Sequence, residues 1–192
     1  GTDTGTVFVD STAPNAPSVV LTNDSGSDGS DLITNDGSLT VTPDEAGNAI
    51  EYSSDDATWS GTPPALSDGS NTVYVRELDP AGNPSPSASI TFTLDTTAPT
   101  VAMNDIALTN DPTPELTGTV ADTTATVVVT IGSTDYPATN NGDGTWTLAD
   151  DTVAALVEGS TTVTVTATDP AGNAGTDTGT VFVDSTAPNA PS

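Results

Sequence analysis

A perfect internal repeat constrains this chain more than any other feature. Residues 1–18 read GTDTGTVFVDSTAPNAPS, and residues 175–192 repeat the same letters with a period of 174 residues. Chance does not produce such an identity, and self-similarity at a long fixed period is the signature of an array of structural units. We therefore expect the chain to close one period of an array and to begin the next.

A weaker repeat divides this period in two. The motif Asp-x-Thr-Ala-Pro occurs at 10–14, 95–99 and 184–188, and DGSNTVYVRELDPAGN (68–83) matches EGSTTVTVTATDPAGN (158–173). Each period therefore holds two related units of about 85–90 residues, which is close to the size of one small β-sandwich.

These repeats predict the domain boundaries. Residues 13–95 form the first domain and 96–184 the second, while 1–12 are the end strand and linker of a preceding repeat and 185–192 begin the next one. Because the domain that residues 1–10 would complete lies outside the sequence, we expect them to be loosely held or to pair with a neighbouring molecule.

The local pattern is that of an all-β protein. Short alternating runs of Val, Thr and Ile are separated by Gly, Pro, Asn and Asp, which indicates a sandwich or barrel, and no window has a sustained helical period. The predicted strands are 18–22, 38–42, 49–54, 57–60, 71–77 and 88–94 in the first domain, and 100–103, 106–109, 115–120, 125–131, 134–139, 144–148, 160–168 and 177–183 in the second. This pattern predicts two tandem immunoglobulin-like Greek-key sandwiches arranged end to end.

Several core residues can be predicted from the same pattern. In the strand 160–168, the residues Val163, Val165 and Ala167 should face the core and the threonines between them water. Trp59 and Trp146 are predicted as core residues beside turns.

The composition excludes several functions. With 27 acidic residues, one arginine, no lysine and no histidine, the chain has a net charge of −26 and cannot neutralise nucleic-acid phosphates. No segment approaches the roughly 20 apolar residues that insert into a bilayer. Without His or Cys, the oxygen ligands that remain suit calcium. Carboxylate pairs such as Asp55–Asp56 and Asp150–Asp151 carry no second catalytic feature, so we predict no enzymatic activity.

A calcium site is predicted where each domain begins. In an immunoglobulin-like sandwich, the loops that precede the third strand and the last strand lie at the end where the chain enters. An aspartate that ends the preceding strand should meet acidic loops there, and backbone carbonyls and water can complete the 6–8 ligands of calcium. The predicted ligands are Asp10, Asp44, Asp79, Asn83, Asp95, Asp122, Asp169, Asn173 and Asp184. The alternative is that these aspartates are solvated strand ends and turn formers that use Asx hydrogen bonds.

A second acidic region, 23–31, continues to Asn35 and Asp36. Its alternating oxygen groups suit another ion, but a flexible, solvated loop explains them equally well. Adaptation to high salt is likewise an alternative to calcium as the cause of the overall acidity, since salt screens repulsion between carboxylates.

The motifs D-x-T-A-P, D-P-A-G-N and L-T-N-D, in this order and spacing, resemble the extender repeats of giant bacterial adhesins of the RTX type and of other biofilm-associated surface proteins. The resemblance implies secretion to the bacterial surface and a spacer that projects distal ligand-binding modules. It also implies calcium at the junctions, with Asp10, Asp79, Asp95, Asp169 and Asp184 as ligands. The partners of such a unit are the neighbouring repeats of its own chain, and an isolated piece should be monomeric.

Two other functions compete with the spacer. One is a module that binds a glycan or peptide, which usually has an exposed aromatic cluster, whereas aromatic residues make up only 4% of this chain. The other is an accessory domain of a secreted polysaccharide-degrading enzyme, against which the long perfect repeat argues.

Overall fold

The computed structural model describes residues 4–190. No α-helix occurs in this range, and the chain divides into two compact units between Asp95 and Thr96. They are called unit 1 and unit 2 and are described separately.

The described part of unit 1, residues 4–95, forms six strands in two sheets. They are β1 (Ser18–Leu21), β2 (Ile33–Thr34), β3 (Leu39–Thr42), β4 (Ala49–Ser53), β5 (Gly69–Leu78) and β6 (Ala88–Leu94). Strands β1 and β3 form one sheet, and the other has the order β2-β6-β5-β4, with only β2 and β6 parallel. Val73, Val75 and Phe92 form a core with Leu21 of the facing sheet.

Residues 96–190, the part of unit 2 that the structure describes, form eight strands. They are β7 (Val101–Met103), β8 (Ile106–Thr109), β9 (Leu116–Val120), β10 (Thr126–Ile131), β11 (Thr134–Asn140), β12 (Thr145–Leu148), β13 (Gly159–Thr168) and β14 (Ala174–Val183). They are linked in the order β7-β9-β12-β11-β10-β13-β14-β8. Leu116 and Trp146 from one half of this order share a single buried cluster with Val129 and Val165 from the other half. The two halves therefore face each other as the layers of a sandwich.

The predicted alternation along β13 is confirmed. Val163, Val165 and Ala167 are fully buried, whereas Thr162 is exposed and the later threonines are half-buried. Those later threonines are partly covered because β13 is an inner strand with β10 and β14 on its two sides.

Trp146 is a core residue as predicted, but Trp59 is not. Trp146 is fully buried, and its indole nitrogen donates to the carbonyl oxygen of Ala102 at 2.9 Å. Trp59 is only half-buried, because it lies beside the outer face of β5, where the Arg76 guanidinium sits 4.2 Å from its ring centre. Arg76 also forms an ion pair with Glu51 at 2.7 Å.

The predicted strand at 57–60 is wrong. Only Ser60 makes a bridge, to Tyr52, and the preceding residues turn around Asp55, whose carboxylate accepts the N–H groups of Ala57 and Thr58. The sequence prediction also missed β2, which has only two residues and therefore shows no alternation.

Residues 4–10 form no strand and are exposed, and the expectation that they are loosely held or pair with a neighbouring molecule stays a prediction. The rest of that predicted segment, residues 1–3, lies outside the described residues, as do residues 191 and 192.

Candidate calcium site

The turn Asp79–Asn83 follows β5 and is built around the Asp79 carboxylate. One carboxylate oxygen accepts the main-chain N–H groups of Ala81 and Asn83 at 2.9 and 2.7 Å, and the other accepts the Asn83 side-chain amide at 2.8 Å. Gly82 has a φ of +91°, a conformation that favours glycine. The repeated sequence of unit 2 forms the same turn, in which Asp169 accepts the main-chain and side-chain N–H groups of Asn173 at 2.8 and 2.9 Å.

These donors favour the ionised form of Asp79. The hydrogen bond from the Asn83 side chain, followed by that from the Asn83 main chain, lowers the pKa of Asp79. The buried Asp79 carboxylate therefore keeps its negative charge at neutral pH, although the rest of the turn is more exposed.

Asp10 meets this turn in unit 1. The side-chain nitrogen of Asn83 donates to the main-chain carbonyl oxygen of Asp10 at 3.1 Å as well as to Asp79. Two oxygen atoms of different segments therefore converge on one amide nitrogen. A half-turn of the Asn83 amide would present its oxygen instead, so three of the predicted ligands fit the oxygen-donor set that calcium prefers.

The loop before β4 is held by a buried residue that the sequence analysis missed. The Glu77 carboxylate accepts hydrogen bonds from the main-chain N–H groups of Asp44 and Glu45 and from the Asn48 side chain, and it is fully buried. Asp44 itself accepts the Asn15 side-chain amide at 3.0 Å. Glu77 occupies an inward position of β5, and a charged residue at such a position is the signal by which it could have been found.

A second missed carboxylate lies at the end of unit 2. Glu158 accepts hydrogen bonds from the main chain and hydroxyl of Ser185 and from the Thr186 hydroxyl. The Ser185 hydroxyl, followed by its main-chain N–H, lowers the pKa of Glu158. The acidic residue at the start of the repeated stretch 158–173 was the available signal.

The carboxylates of three predicted ligands accept hydrogen bonds from nearby main-chain N–H groups. The carboxylate of Asp10 accepts Thr12 N–H, that of Asp122 accepts Thr124 N–H, and that of Asp184 accepts Thr186 N–H, each two residues further along. Asp95 donates its main-chain N–H to Thr34 in unit 1. The turn-forming role, which was the alternative to calcium, is therefore present at several of these aspartates.

The acidic loop 23–36 is also organised by Asx turns, at Asp28, Asp31 and Asp36. Asp24 differs, because one of its carboxylate oxygens accepts Leu32 N–H while the other is buried and has no hydrogen-bond partner among residues 4–190.

Within the described residues, no group of three or more acidic side chains is placed to hold a metal ion. Any ion at the Asp79–Asn83 turn would therefore depend on the Asp10 carbonyl and the Asn83 amide in addition to carboxylates. The same part of the chain contains no helix that could span a membrane.

The family comparison matches both units. A model of the bacterial Ig-like domain matches residues 37–96 and 100–185. The chain therefore belongs to the bacterial Ig-like domain family, and the all-β, immunoglobulin-like sandwich fold is confirmed. No curated protein matches the chain.

Solved structures to which this chain is similar include the following three. The tetra-tandem repeat in the extending region of a large adhesion protein is 25% identical, with a TM-score of 0.40, 92% of this chain covered and 51% of that chain. The fibronectin(III)-like modules of Clostridium thermocellum CbhA are 16% identical, with a TM-score of 0.45 and coverages of 86% and 94%. A Ca²⁺-stabilised adhesin that helps an Antarctic bacterium bind ice is 18% identical, with a TM-score of 0.35 and coverages of 89% and 49%.

Proposed function

We propose that this chain is a structural spacer from the extended region of a bacterial cell-surface adhesin of the RTX or biofilm-associated type. It would lie outside the cell, catalyse no reaction, contact the neighbouring repeats of its own chain and be monomeric in isolation. The observation that carries this proposal is the perfect repeat of residues 1–18 at 175–192, which surrounds two consecutive bacterial Ig-like domains.

A physical argument supports a spacer. In a repeat array each unit contacts only its neighbours, so adding units adds length without altering the units already present. A strand of ten residues such as β13 extends about 33 Å. Selection for reach therefore explains a perfect repeat of residues 1–18 at a spacing of 174 residues, which a single binding site does not require.

We further propose that calcium stiffens the junctions. In unit 1 the ion would be held by Asp10, Asp79 and Asn83, with Asp44 on the adjacent loop. By the sequence repeat, Asp95, Asp122, Asp169, Asn173 and Asp184 would play the same parts at equivalent junctions. The support is the convergence of the Asp10 and Asp79 oxygens on the Asn83 amide. A bound ion would neutralise carboxylate charge and tie the end of one strand to the turn of the next domain.

Calcium titration at constant ionic strength tests the stiffening. Because a ligand of the folded state raises stability by mass action, the melting temperature should rise with calcium concentration. The maximum dimension in small-angle scattering should also rise, and magnesium at equal concentration is the control for charge screening. Unchanged melting and unchanged dimensions in calcium would contradict the calcium proposal.

The spacer role has a separate test. Chains of one, two and three periods should increase in maximum dimension by a constant step. A compact particle whose dimension fails to grow with repeat number would contradict the spacer, whatever the result with calcium.

The alternative of a glycan-binding module gains no support from the tryptophans. Trp146 is buried in the core, and one face of Trp59 is covered by Arg76. Trp146 therefore offers no exposed ring face, and Trp59 offers at most one.

A further inference from the structure

Within the described residues, unit 1 lacks two strands that unit 2 contains. In unit 2, β12 and β11 lie between β9 and β10 and join the two halves of the sandwich. In unit 1, β3 pairs with β1 as β9 does with β7, and β4 pairs with β5 as β10 does with β13. Residues 54–68 follow β4 and form no strand, only the single bridge at Ser60. The edge of β3 that faces away from β1 therefore has no strand beside it.

The main-chain groups at this edge can be assigned from the β1–β3 ladder. The N–H group of Thr22 donates to the carbonyl oxygen of Ser38 at 2.8 Å, which makes these two residues a hydrogen-bonded pair. Such pairs alternate along an antiparallel ladder, so the N–H and C=O groups of Leu39 and Val41 point away from β1. Among the described residues, no main-chain hydrogen bond joins β3 to residues 54–68. The groups of Leu39 and Val41 are therefore available to an added strand.

The core of unit 1 is also less covered than that of unit 2 on this side. Leu39 and Val41 face the core but are only half-buried. The inward residues Leu116 and Val120 of β9, which has β12 beside it, are 0% and 1% exposed. Leu66, from the connection after β4, packs against the unit 1 core and covers part of it. An added strand would thus bury apolar side chains as well as pair main-chain groups.

Acidic residues flank the β3 edge at both ends. Asp36 precedes β3, and Asp44 and Glu45 follow it. The only basic side chain of the protein, Arg76, pairs with Glu51, so these three carboxylates have no basic side chain as a partner. A second copy of the chain would bring a net charge of −26 to this edge and be repelled. A segment with lysine or arginine at both of its ends would be attracted.

We propose that the β3 edge of unit 1 binds an extended, basic segment of another protein by strand addition. The segment lies antiparallel to β3, as β12 does to β9, and exchanges main-chain hydrogen bonds with Leu39 and Val41. Its alternate apolar side chains cover the half-buried core, and its terminal basic residues lie beside Asp36 and beside Asp44 and Glu45. Unit 2 does not bind the segment, because β12 already occupies the corresponding edge of β9. This activity goes beyond the spacer role and depends neither on that role nor on calcium.

The test uses the full chain and the synthetic peptide KVTVTVTVK in chelator. Antiparallel pairing with residues 36–44 places its lysines opposite Asp36 and Asp44, and valines opposite Leu39 and Val41. Amide hydrogen exchange at Leu39 and Val41 should be fast in the free chain and should slow with the peptide, while the amides of β9 should not change. Fast exchange at Leu39 and Val41 at saturating peptide would overturn the proposal.

Two control peptides separate strand pairing from charge attraction. KVTPTPTVK keeps both lysines but has prolines opposite Leu39 and Val41, so it lacks the N–H donors that pairing requires. EVTVTVTVE keeps the alternation but is repelled by the acidic ends of β3. Neither control should slow exchange at Leu39 and Val41. Equal protection by the proline peptide would rule out strand addition, and equal protection by the glutamate peptide would rule out a basic partner.

Substitutions in the protein test the flanking charges. The double variant Asp36→Asn and Glu45→Gln should raise the dissociation constant of KVTVTVTVK several-fold. Asn at position 36 keeps an oxygen that can accept the Ser38 N–H, so the melting temperature should change little. Asp135→Asn removes a charge from unit 2 and should leave the dissociation constant unchanged. Equal affinity of the double variant and wild type would contradict the basic chemistry of the partner.

Self-association at the β3 edge is the competing outcome. It would slow exchange at Leu39 and Val41 without peptide, and increasingly so as the protein concentration rises. That result would overturn the assignment of the edge to a segment of another protein. Exchange that is independent of protein concentration, together with protection by KVTVTVTVK, is the result that we expect.

Discussion

The side-chain nitrogen of Asn83 lies 3.1 Å from the main-chain oxygen of Asp10, although 73 positions separate the two residues. This contact joins the end of an exposed segment to the turn that Asp79 organises. Asn83 acts as a donor here, and the position of its nitrogen between two oxygens is one that a cation can also occupy. Substitution of Asn83 can separate its role as a hydrogen-bond donor from a role as a calcium ligand.

Asn83→Asp replaces the donor by a carboxylate close to the oxygens of Asp10 and Asp79. Without calcium it should destabilise unit 1 more than Asn83→Ala does, because like charges then face each other. With calcium, Asn83→Asp should instead be the more stable of the two variants, because the added carboxylate becomes a ligand. Thermal melting of both variants in chelator and in calcium measures this, and an unchanged order would exclude an ion at Asn83.

Glu77 is expected to be the most sensitive carboxylate in unit 1. Glu77→Ala leaves the N–H groups of Asp44 and Glu45 and the Asn48 amide without their acceptor in a partly buried place. A buried donor without a partner costs about 1–3 kcal/mol, and because water can reach these partly buried donors, a total loss of about 1–3 kcal/mol in the free energy of unfolding is expected. Denaturant unfolding measures the loss, and Glu77→Gln, which retains one acceptor oxygen, should lose less. A loss below that of an ordinary surface substitution would show that the loop does not depend on Glu77.

The turn Asp169–Asn173 of unit 2 is the counterpart of the turn Asp79–Asn83, but among the described residues no buried glutamate lies beside it. Asp169→Ala removes the acceptor of both Asn173 N–H groups in a site that is 5% exposed. We expect a loss of about 1–3 kcal/mol in the free energy of unfolding of unit 2. Asp169→Asn, which keeps one acceptor oxygen, is the matched control, and its free energy of unfolding should lie between those of the wild type and of Asp169→Ala. Equal stability of the alanine and asparagine variants would contradict the role of the carboxylate.

The fold could be predicted largely from the sequence because apolar and polar residues alternate along β-strands. Val163, Val165 and Ala167 in β13 illustrate this, since their period of two fixes which side is buried. Trp59 could not be placed in this way, because it lies in no strand and its position depends on Arg76, a residue on β5. A hydrophobic residue beside a turn is equally compatible with the core and with the outer face of a sheet.

The candidate site was harder to predict than the fold. The repeated motifs pointed to Asp79 and Asn83, and the structure brings both to Asp10. They did not reveal Glu77, because in unit 2 the equivalent position of the repeat is Ala167 and only one unit carries the carboxylate. A residue such as Glu77, which organises only one of the two units, leaves no repeated motif by which it could be recognised.

Gly118 in β9 tests the tight packing of unit 2. A side chain at this position would lie 2.0 Å from the carbonyl oxygen of Ala102 and 2.5 Å from the Trp146 indole nitrogen. The first of these atoms is main chain and cannot turn away, so Gly118→Ala must shift β7 or the indole. We expect a loss of about 3 kcal/mol, at the upper end of the effect of overpacking, in the free energy of unfolding. Gly61→Ala, with nothing within 4 Å, is the control and should stay near wild type in denaturant unfolding. Similar stabilities for the two variants would contradict the close approach.

Two aspartates of unit 2 should respond to acid with opposite signs. Burial, followed by the charges of Asp111 and Asp151, raises the pKa of Asp150. The hydrogen bond from the Thr145 hydroxyl lowers the pKa of Asp143. The ionised form of Asp150 is therefore unfavourable in the folded state, whereas that of Asp143 is favourable.

The sign of each effect follows from proton linkage. A raised pKa means that ionised Asp150 costs stability at neutral pH, and the cost disappears as the pH falls through its folded pKa. A lowered pKa means that Asp143 contributes stability above its unfolded pKa of about 3.9, and this is lost as the pH falls through its folded pKa. Asp150→Asn should therefore raise the melting temperature of unit 2 at pH 7, and Asp143→Asn should lower it. Both differences from wild type should shrink toward pH 3 in thermal melts recorded across the range. A fall in melting temperature for Asp150→Asn at pH 7 would show that its carboxylate stabilises the fold despite Asp111 and Asp151.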